Sequence, residues 1–210
     1  MAWVTVKQWY QLLLERGVTH TSEDPDSPPL LIKSKLEENH PDINFGDSYQ
    51  MARIFGLTPE QKSFIFKLMQ SLLPNRERLA RIGKAETSTC TFCNAAPDTT
   101  AHLLTCTQSA EVGGPLLQCL ASFHPRITSE DIVLFNFPSS ESQDLPLAWI
   151  VSTSLNFIWE ERMLGRQARL DVYRAEMMAK LNMLKGTKWK HYTLHNSAVL
   201  LEEMINLHFS

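Results

Sequence analysis

Apolar residues recur at helical spacing along most of the chain, which predicts a mainly α fold. In VKQWYQLLLERG, residues 6–17, they fall on one side of a helix that Thr5 would cap and Gly17 would end. DSYQMARIF, residues 47–55, predicts a second, shorter helix. Between them, the acidic and proline-rich HTSEDPDSPP, residues 20–29, has no apolar period and predicts a loop.

The clearest helix start is at Thr58, which is followed by Pro59 and, three residues after the cap, by Gln61. This is the pattern of a capping box with proline in the first turn, and it leads into FIFKLMQSLL, which Pro74 stops. NRERLARIG then predicts a short helix that begins after Asn75.

The remaining apolar runs also have helical spacing. Thr128 and Asp131 form a second cap pair, and Gly165 and Gly186 are natural helix ends. The predicted helices lie in GGPLLQCLASFHP, TSEDIVLF, PLAWIVSTSLNFIWEERML and RQARLDVYRAEMMAKLNMLKG, with a last helix from about Asn196. FPSSESQD, residues 137–144, is a predicted loop, and strands are expected only as short segments near the cysteines.

These patterns divide the chain into three regions that we expect to pack as one unit. An N-terminal helical region covers residues 1–84, a cysteine-rich element covers 85–108, and a C-terminal helical region covers 109–210. With 43% hydrophobic residues among 210, the chain can bury a substantial core. It has no apolar run of the roughly 20 residues that cross a bilayer and no signal-peptide pattern, so we expect an intracellular protein, nuclear or cytoplasmic, that is not secreted.

The net charge of -3 conceals an uneven distribution. Residues 62–84 contain six basic residues and one acidic residue, and residues 160–190 contain eight basic and four acidic residues. Either block could form a basic binding surface, or both could be ordinary solvated helix faces.

The segment CTFCNAAPDTTAHLLTC, residues 90–106, has the spacing of a metal site. A CxxC turn presents Cys90 and Cys93 to one ion, and on a short helix capped by Asp98 or Thr99 the side chains of His102 and Cys106 would share a face. Three thiolates and an imidazole are a typical donor set for Zn²⁺. We therefore predict one structural zinc ion per chain, with all four positions filled by protein and no room for hydrolytic chemistry.

The cysteine pattern is also compatible with two other interpretations. A CxxC pair can be a redox motif, although such pairs usually belong to a βαβ unit, and the four residues could be unligated members of the core. Cys119 is most simply a core residue, but it could replace His102 as a ligand if the helix prediction is wrong.

The order of these motifs resembles a known family. DINF, FKLMQSLLPNRERL, CTFC and HLLTC are similar to the region that follows the polymerase in non-LTR (LINE-type) retrotransposon reverse transcriptases, and LASFHPRITSEDIVLFNFP and LNFIWEERMLGRQ resemble its C-terminal helices. The resemblance is weakest over residues 1–35. It implies a zinc role for the four cluster residues and a module that positions RNA or target DNA.

The resemblance implies nothing catalytic. The chain has no Asp-Asp dipeptide like that of the polymerase palm and no endonuclease pattern, so we expect it not to be an enzyme. It would then be an excised domain, a decayed element copy or a host protein derived from such an element.

Two segments are candidates for contact with RNA or single-stranded DNA. One is the basic cluster Arg76, Arg78, Arg81 and Lys84, which would meet phosphates with little sequence preference. In the other, Lys188 and Lys190 alternate with Trp189 and Tyr192, a pattern that suits a single strand, although the two rings could instead anchor the last helix to the core.

The sequence thus predicts a non-catalytic, zinc-stabilised nucleic-acid-binding module. The alternative is a domesticated protein-protein interaction module in which zinc is purely structural. We expect neither a membrane nor a small-molecule substrate among its partners.

Overall fold

The computed structural model describes residues 57–136, 144–186 and 192–209. The predictions for residues 6–17, 20–29 and 47–55, and for most of the loop at 137–144, lie outside this part of the chain. Within it, the prediction of a mainly α fold with an embedded Cys/His element is confirmed.

Eight helices occur in the described residues. They are α1 (Pro59–Met69), α2 (Arg76–Arg81), α3 (His102–Thr105), α4 (Ala110–Phe123), α5 (Ser129–Val133), α6 (Asp144–Met163), α7 (Leu170–Gly186) and α8 (Tyr192–His208). The only β pairing in the described ranges is an isolated antiparallel bridge between Thr89 and Pro97, beside the first cysteines.

The predicted caps form as expected. The Thr58 hydroxyl accepts from the Gln61 amide and the Gln61 side chain accepts from the Thr58 amide, and Thr128 and Asp131 make the same reciprocal pair before α5. The Asn75 side chain accepts from the Arg78 amide at the start of α2. Local sequence is sufficient for these caps, because each is made within one turn of the chain.

Several helix boundaries differ from the predictions, including the start of α7, which is Leu170 rather than Arg166. α1 ends at Met69 rather than at Pro74, because the chain turns at Ser71, whose φ is 51°. α4 begins before the glycine pair, with Ser109 as its first flanking residue, so that Gly113 and Pro115 lie inside the helix. α8 begins four residues before Asn196, at Tyr192.

The helix α6 forms the centre of the core. Every residue from 146 to 158 is buried, and α1, α3, α4, α7 and α8 all pack against it. Its buried polar residues are small or hydrogen-bonded: the Ser154 hydroxyl lies 2.7 Å from the Ile150 carbonyl oxygen and 2.5 Å from the Tyr173 hydroxyl. The last turn of α6 emerges from this core beside the cysteine-rich element.

No helix in the described residues combines the length and apolar character needed to cross a bilayer.

Candidate metal centre

The CxxC turn is shaped by backbone hydrogen bonds. The Cys90 amide donates to the Ala96 carbonyl over 2.9 Å, and the Asn94 amide donates to the Cys90 carbonyl over 2.9 Å. Asn94 has a φ of 53°, a left-handed conformation that asparagine tolerates better than most residues. The turn folds back after Cys93, so that both thiols of the CxxC motif face the same point.

The second pair of side chains comes from α3 and its end. The His102 amide donates to the Thr99 hydroxyl over 3.0 Å, so Thr99 is the residue that caps this turn. Asp98, the other predicted cap, instead bonds to α2 and α6, as described below. Cys106 follows α3 directly, and its amide bonds to the His102 carbonyl over 2.9 Å.

The four side chains meet with the spacing of a tetrahedral metal site. Cys90 Sγ, Cys93 Sγ, a ring nitrogen of His102 and Cys106 Sγ all lie within 4.8 Å of one another. Cys90 Sγ is 3.8 Å from Cys106 Sγ, and Cys93 Sγ is 3.3 Å from His102 Nε2. Two sulfurs bound at about 2.3 Å to one tetrahedral ion would be about 3.8 Å apart, so a metal ion fits between these atoms.

The site is enclosed by the protein. Cys90, His102 and Cys106 are buried, and Cys93 is half-buried. His102 directs Nε2 towards the cluster, and its Nδ1 lies 3.5 Å from the Thr105 hydroxyl, which fixes the orientation of the ring. Because protein atoms fill all four positions of a tetrahedron, such a site stabilises structure and leaves no place for a reacting water.

Cys119 is not part of this cluster. It lies on α4 in the hydrophobic core, and burial raises the pKa of its thiol to about 12. The alternative ligand set, with Cys119 in place of His102, is therefore not the one that the structure brings together.

The surroundings of the two buried cluster thiols differ. Burial acts to raise the pKa of Cys90, but backbone N–H groups of Cys93 and Phe92, together with Arg162, lower it to about 6. Burial and the neighbouring Cys90 raise the pKa of Cys106 to about 11. The N–H groups and Arg162 therefore favour a thiolate in this pair, and a bound cation would favour loss of the second proton.

Arg162, in the last turn of α6, supplies positive charge to the cluster. Its Nη2 lies 3.5 Å from Cys90 Sγ and 2.5 Å from Asp98 Oδ1, and its guanidinium carbon lies 4.5 Å from the centre of the Phe92 ring. Only 9% of the Arg162 side chain and 3% of the Asp98 side chain are exposed. Sequence reasoning missed this residue, and no local signal could have found it, because it is 64 residues from Asp98.

Asp98 also connects the candidate metal centre to the basic helix α2. Its Oδ2 accepts from the Arg76 amide over 2.8 Å, at the first residue of α2. Beside it, Asn75 Nδ2 donates to the Thr100 hydroxyl over 3.2 Å. Two buried side chains thus fix the start of α2 to the loop between the two pairs of candidate ligands.

The four basic residues predicted around α2 have different environments. Arg81 and Lys84 are exposed. Arg76 and Arg78 are half-buried, and Arg78 Nη1 donates to the Ser71 carbonyl over 2.5 Å. Burial and the nearby Arg81 lower the pKa of Arg78, as expected for a guanidinium that is partly removed from water.

The second predicted segment is largely outside the described residues. Lys188, Trp189 and Lys190 lie in the gap between α7 and α8. Tyr192 is the first residue of α8, but its side chain is not among those described.

The two basic blocks of the sequence differ in their ion pairs. Within the described residues, five bases of the 160–190 block are paired with carboxylates: Arg162 with Asp98, Arg166 with Glu161, Arg169 with Asp171, Lys180 with Glu176 and Lys185 with Glu202. None of the six bases of the 62–84 block forms an ion pair with a described residue. The block beside the candidate metal centre is thus the one whose charges have no carboxylate partner among the described residues.

Comparisons with protein-family models, with curated proteins and with solved structures found no match to this chain.

Proposed function

We propose that Cys90, Cys93, His102 and Cys106 bind one structural Zn²⁺ ion per chain. The donor set supports this choice, because thiolates with imidazole in a tetrahedral arrangement favour zinc over the oxygen-seeking Mg²⁺ and Ca²⁺. The spacing of the donor atoms and their burial also support it. Reduced thiolates require a reducing compartment, so an intracellular location, nuclear or cytoplasmic, forms part of the proposal.

We also propose that the zinc-stabilised protein acts as a non-catalytic module that binds RNA or single-stranded DNA. The observation that carries the proposal is the basic block at 62–84, which forms no ion pair with a described residue and whose helix α2 is fixed beside the candidate metal centre. Cations without a carboxylate partner among the described residues are available to phosphates, whereas five of the eight bases in the 160–190 block are already paired. The resemblance of LLPNRERL and the Cys/His spacing to LINE-type reverse transcriptases supports the same function.

Zinc has an indirect role in this proposal. The ion would hold the loop that contains Asp98, and Asp98 in turn fixes the start of α2 through the Arg76 amide. Loss of the metal would then release the basic helix from its position. Nucleic-acid affinity should therefore depend on zinc, although no zinc ligand touches the nucleic acid.

Salt-dependent binding tests the proposed function. The double substitution Arg81→Ala with Lys84→Ala removes two exposed cations without disturbing the half-buried Arg76 and Arg78. By fluorescence anisotropy with labelled RNA and single-stranded DNA, this variant should bind more weakly, and the slope of log affinity against log salt should fall by about 1.4. Arg169→Ala is the control, because Arg169 is also exposed but is paired with Asp171.

The rival function, a protein-protein interaction module with purely structural zinc, predicts a different result. The folded, zinc-loaded protein would then show no affinity for nucleic acid even at low salt. If the double variant and Arg169→Ala weakened nucleic-acid binding equally, the 62–84 block would not be the binding surface.

A further inference from the structure

The solvent face of α1 combines an aromatic ring with two cations. The buried side of this helix is formed by Gln61, Phe64, Ile65, Leu68 and Met69. Phe66 lies on the exposed side, next to the edge formed by Met69, and is 54% exposed. At 100° per residue, the exposed Lys62 lies on one side of Phe66 and the exposed Lys67 on the other.

Exposure of Phe66 is informative because of its neighbours. A single exposed apolar residue is common on protein surfaces and needs no explanation. However, among the described residues with large exposed apolar side chains, Phe66 is the only aromatic one. It lies between two lysines that have no ion-pair partner among the described residues, an arrangement that attracts an anion carrying flat rings.

One contact joins α2 to the turn that follows α1. After α1 the chain turns at Ser71, and the Ser71 carbonyl accepts from Arg78 Nη1. Arg78 and Arg81 are three residues apart on α2 and therefore share a face. Arg78 thus holds α2 to the turn after α1, and the exposed Arg81 follows it on the same face of α2.

We infer that a single-stranded nucleic acid lies along α1 and α2, with one base stacked on Phe66 and phosphates at Lys62, Lys67, Arg81 and Lys84. This inference rests on the proposed function. It adds that the nucleic acid is single-stranded and that Phe66 is the residue that contacts a base. A duplex hides the faces of its bases, so only an unpaired base can stack on the ring of a surface phenylalanine. Stacking and phosphate contacts together give affinity with little sequence preference.

The contributions of base stacking and of charge to the binding affinity can be measured separately. Labelled oligo(U), oligo(dT) and a duplex RNA are titrated with the zinc-loaded full chain and its variants. Phe66→Ala should weaken binding of the single strands by about 5- to 150-fold, leave the salt slope unchanged and leave duplex binding unaffected. Phe66→Tyr keeps a stacking ring and should restore most of the affinity.

Two further variants complete the design. Lys62→Ala with Lys67→Ala should lower the salt slope by about 1.4, because two phosphate contacts are lost. Leu207→Ala is the control for removal of an exposed apolar side chain, since Leu207 is 73% exposed and lies on α8. Thermal denaturation verifies that each variant remains folded.

The outcomes distinguish the inference from the function on which it rests. If the single strands bind and Phe66→Ala has no more effect than Leu207→Ala, the stacking inference is wrong and the proposed function stands. If the wild-type protein binds no nucleic acid at low salt, both are wrong, and a protein partner is the better explanation of the basic face. Tighter binding of oligo(U) than of oligo(dT) would identify RNA as the ligand, and the reverse order would identify single-stranded DNA.

Discussion

Arg162 and Asp98 form a buried ion pair, with 2.5 Å between Nη2 and Oδ1, that joins the central helix α6 to the candidate metal centre. The same arginine reaches Cys90 Sγ, and the same aspartate accepts from the first amide of α2. One pair of side chains therefore connects the hydrophobic core, the cysteine cluster and the basic helix. Four predictions concern Asp98, the cysteine cluster, Gly113 and Cys119.

Substitution of Asp98 should strongly destabilise the protein. Asp98→Ala would leave the Arg162 guanidinium buried without a carboxylate, which typically costs about 3–5 kcal/mol in the free energy of unfolding. Urea denaturation measures this quantity. The matched control is Asp171→Ala, which breaks the exposed pair with Arg169 and should cost about 1 kcal/mol or less. If the two variants lost similar amounts of unfolding free energy, the Asp98–Arg162 pair would not be what holds the cysteine-rich element to the core.

Metal content should follow the four cluster residues. Elemental analysis of the purified protein should give one zinc ion per chain, and Cys93→Ser should lower both the zinc content and the melting temperature, because the binding energy of a structural ion contributes to folding. Cys119→Ala is the control, since Cys119 lies in the core outside the cluster. The Cys119→Ala variant should lose some stability but retain the metal. Zinc loss in the Cys119 variant, or a folded wild type without metal, would contradict the proposed ligand set.

The close approach of α4 to α3 depends on Gly113. A Cβ atom at this position would lie 2.2 Å from the Leu104 carbonyl oxygen, on the turn that holds His102 and Cys106. Gly113→Ala should therefore destabilise the protein by about 1–3 kcal/mol through overpacking against backbone, and should increase the rate at which a chelator removes the metal.

The adjacent glycine provides the control for this prediction. A Cβ atom at Gly114 would meet no atom within 4 Å. Gly114→Ala should stabilise the protein by about 0.5–1 kcal/mol, because alanine restricts the unfolded chain more than glycine does. Denaturation curves of the two variants should thus shift in opposite directions, and a shift in the same direction would refute the assigned clash.

Alkaline pH should destabilise the fold in part through Cys119. Burial raises the pKa of this thiol to about 12, above its unfolded value of about 8.5, so folding favours the neutral form. The resulting stability is complete below about pH 8.5 and is lost as the pH rises towards 12. Burial also raises the pKa of Tyr173, which acts in the same direction at higher pH.

The contribution of Cys119 to this pH dependence can be measured by comparing the wild type with Cys119→Ala. Between about pH 8.5 and pH 10, the free energy of unfolding of the wild type should fall by about 2 kcal/mol more than that of Cys119→Ala. In the folded protein, Cys119 should also resist alkylation under conditions in which chelation exposes the cluster cysteines to the reagent. Equal pH dependence of the two proteins would show that the Cys119 thiol ionises freely in the fold.

Much of the fold was predictable because the relevant interactions are local. The cap pairs Thr58 with Gln61 and Thr128 with Asp131 lie within a single turn, so their residue types alone indicate where the helices begin. Cys90, Cys93, His102 and Cys106 meet within 17 consecutive residues, and their spacing is sufficient to predict that they cluster. In contrast, the burial of α6 on all sides could not be predicted from its apolar pattern, because it depends on five other helices.

The sequence by itself determined the mainly helical fold, the positions of most helices and the four residues of the candidate metal centre. Only the tertiary structure decided that Asp98, in the loop before α3, bonds to the Arg76 amide and to Arg162. It also decided that, within the described residues, five bases of 160–190 form ion pairs while none of 62–84 does. The physical reason is the range of the interactions. Caps and metal-ligand spacing are set by neighbouring residues, whereas ion pairs, exposure and burial depend on which distant segments the fold brings together.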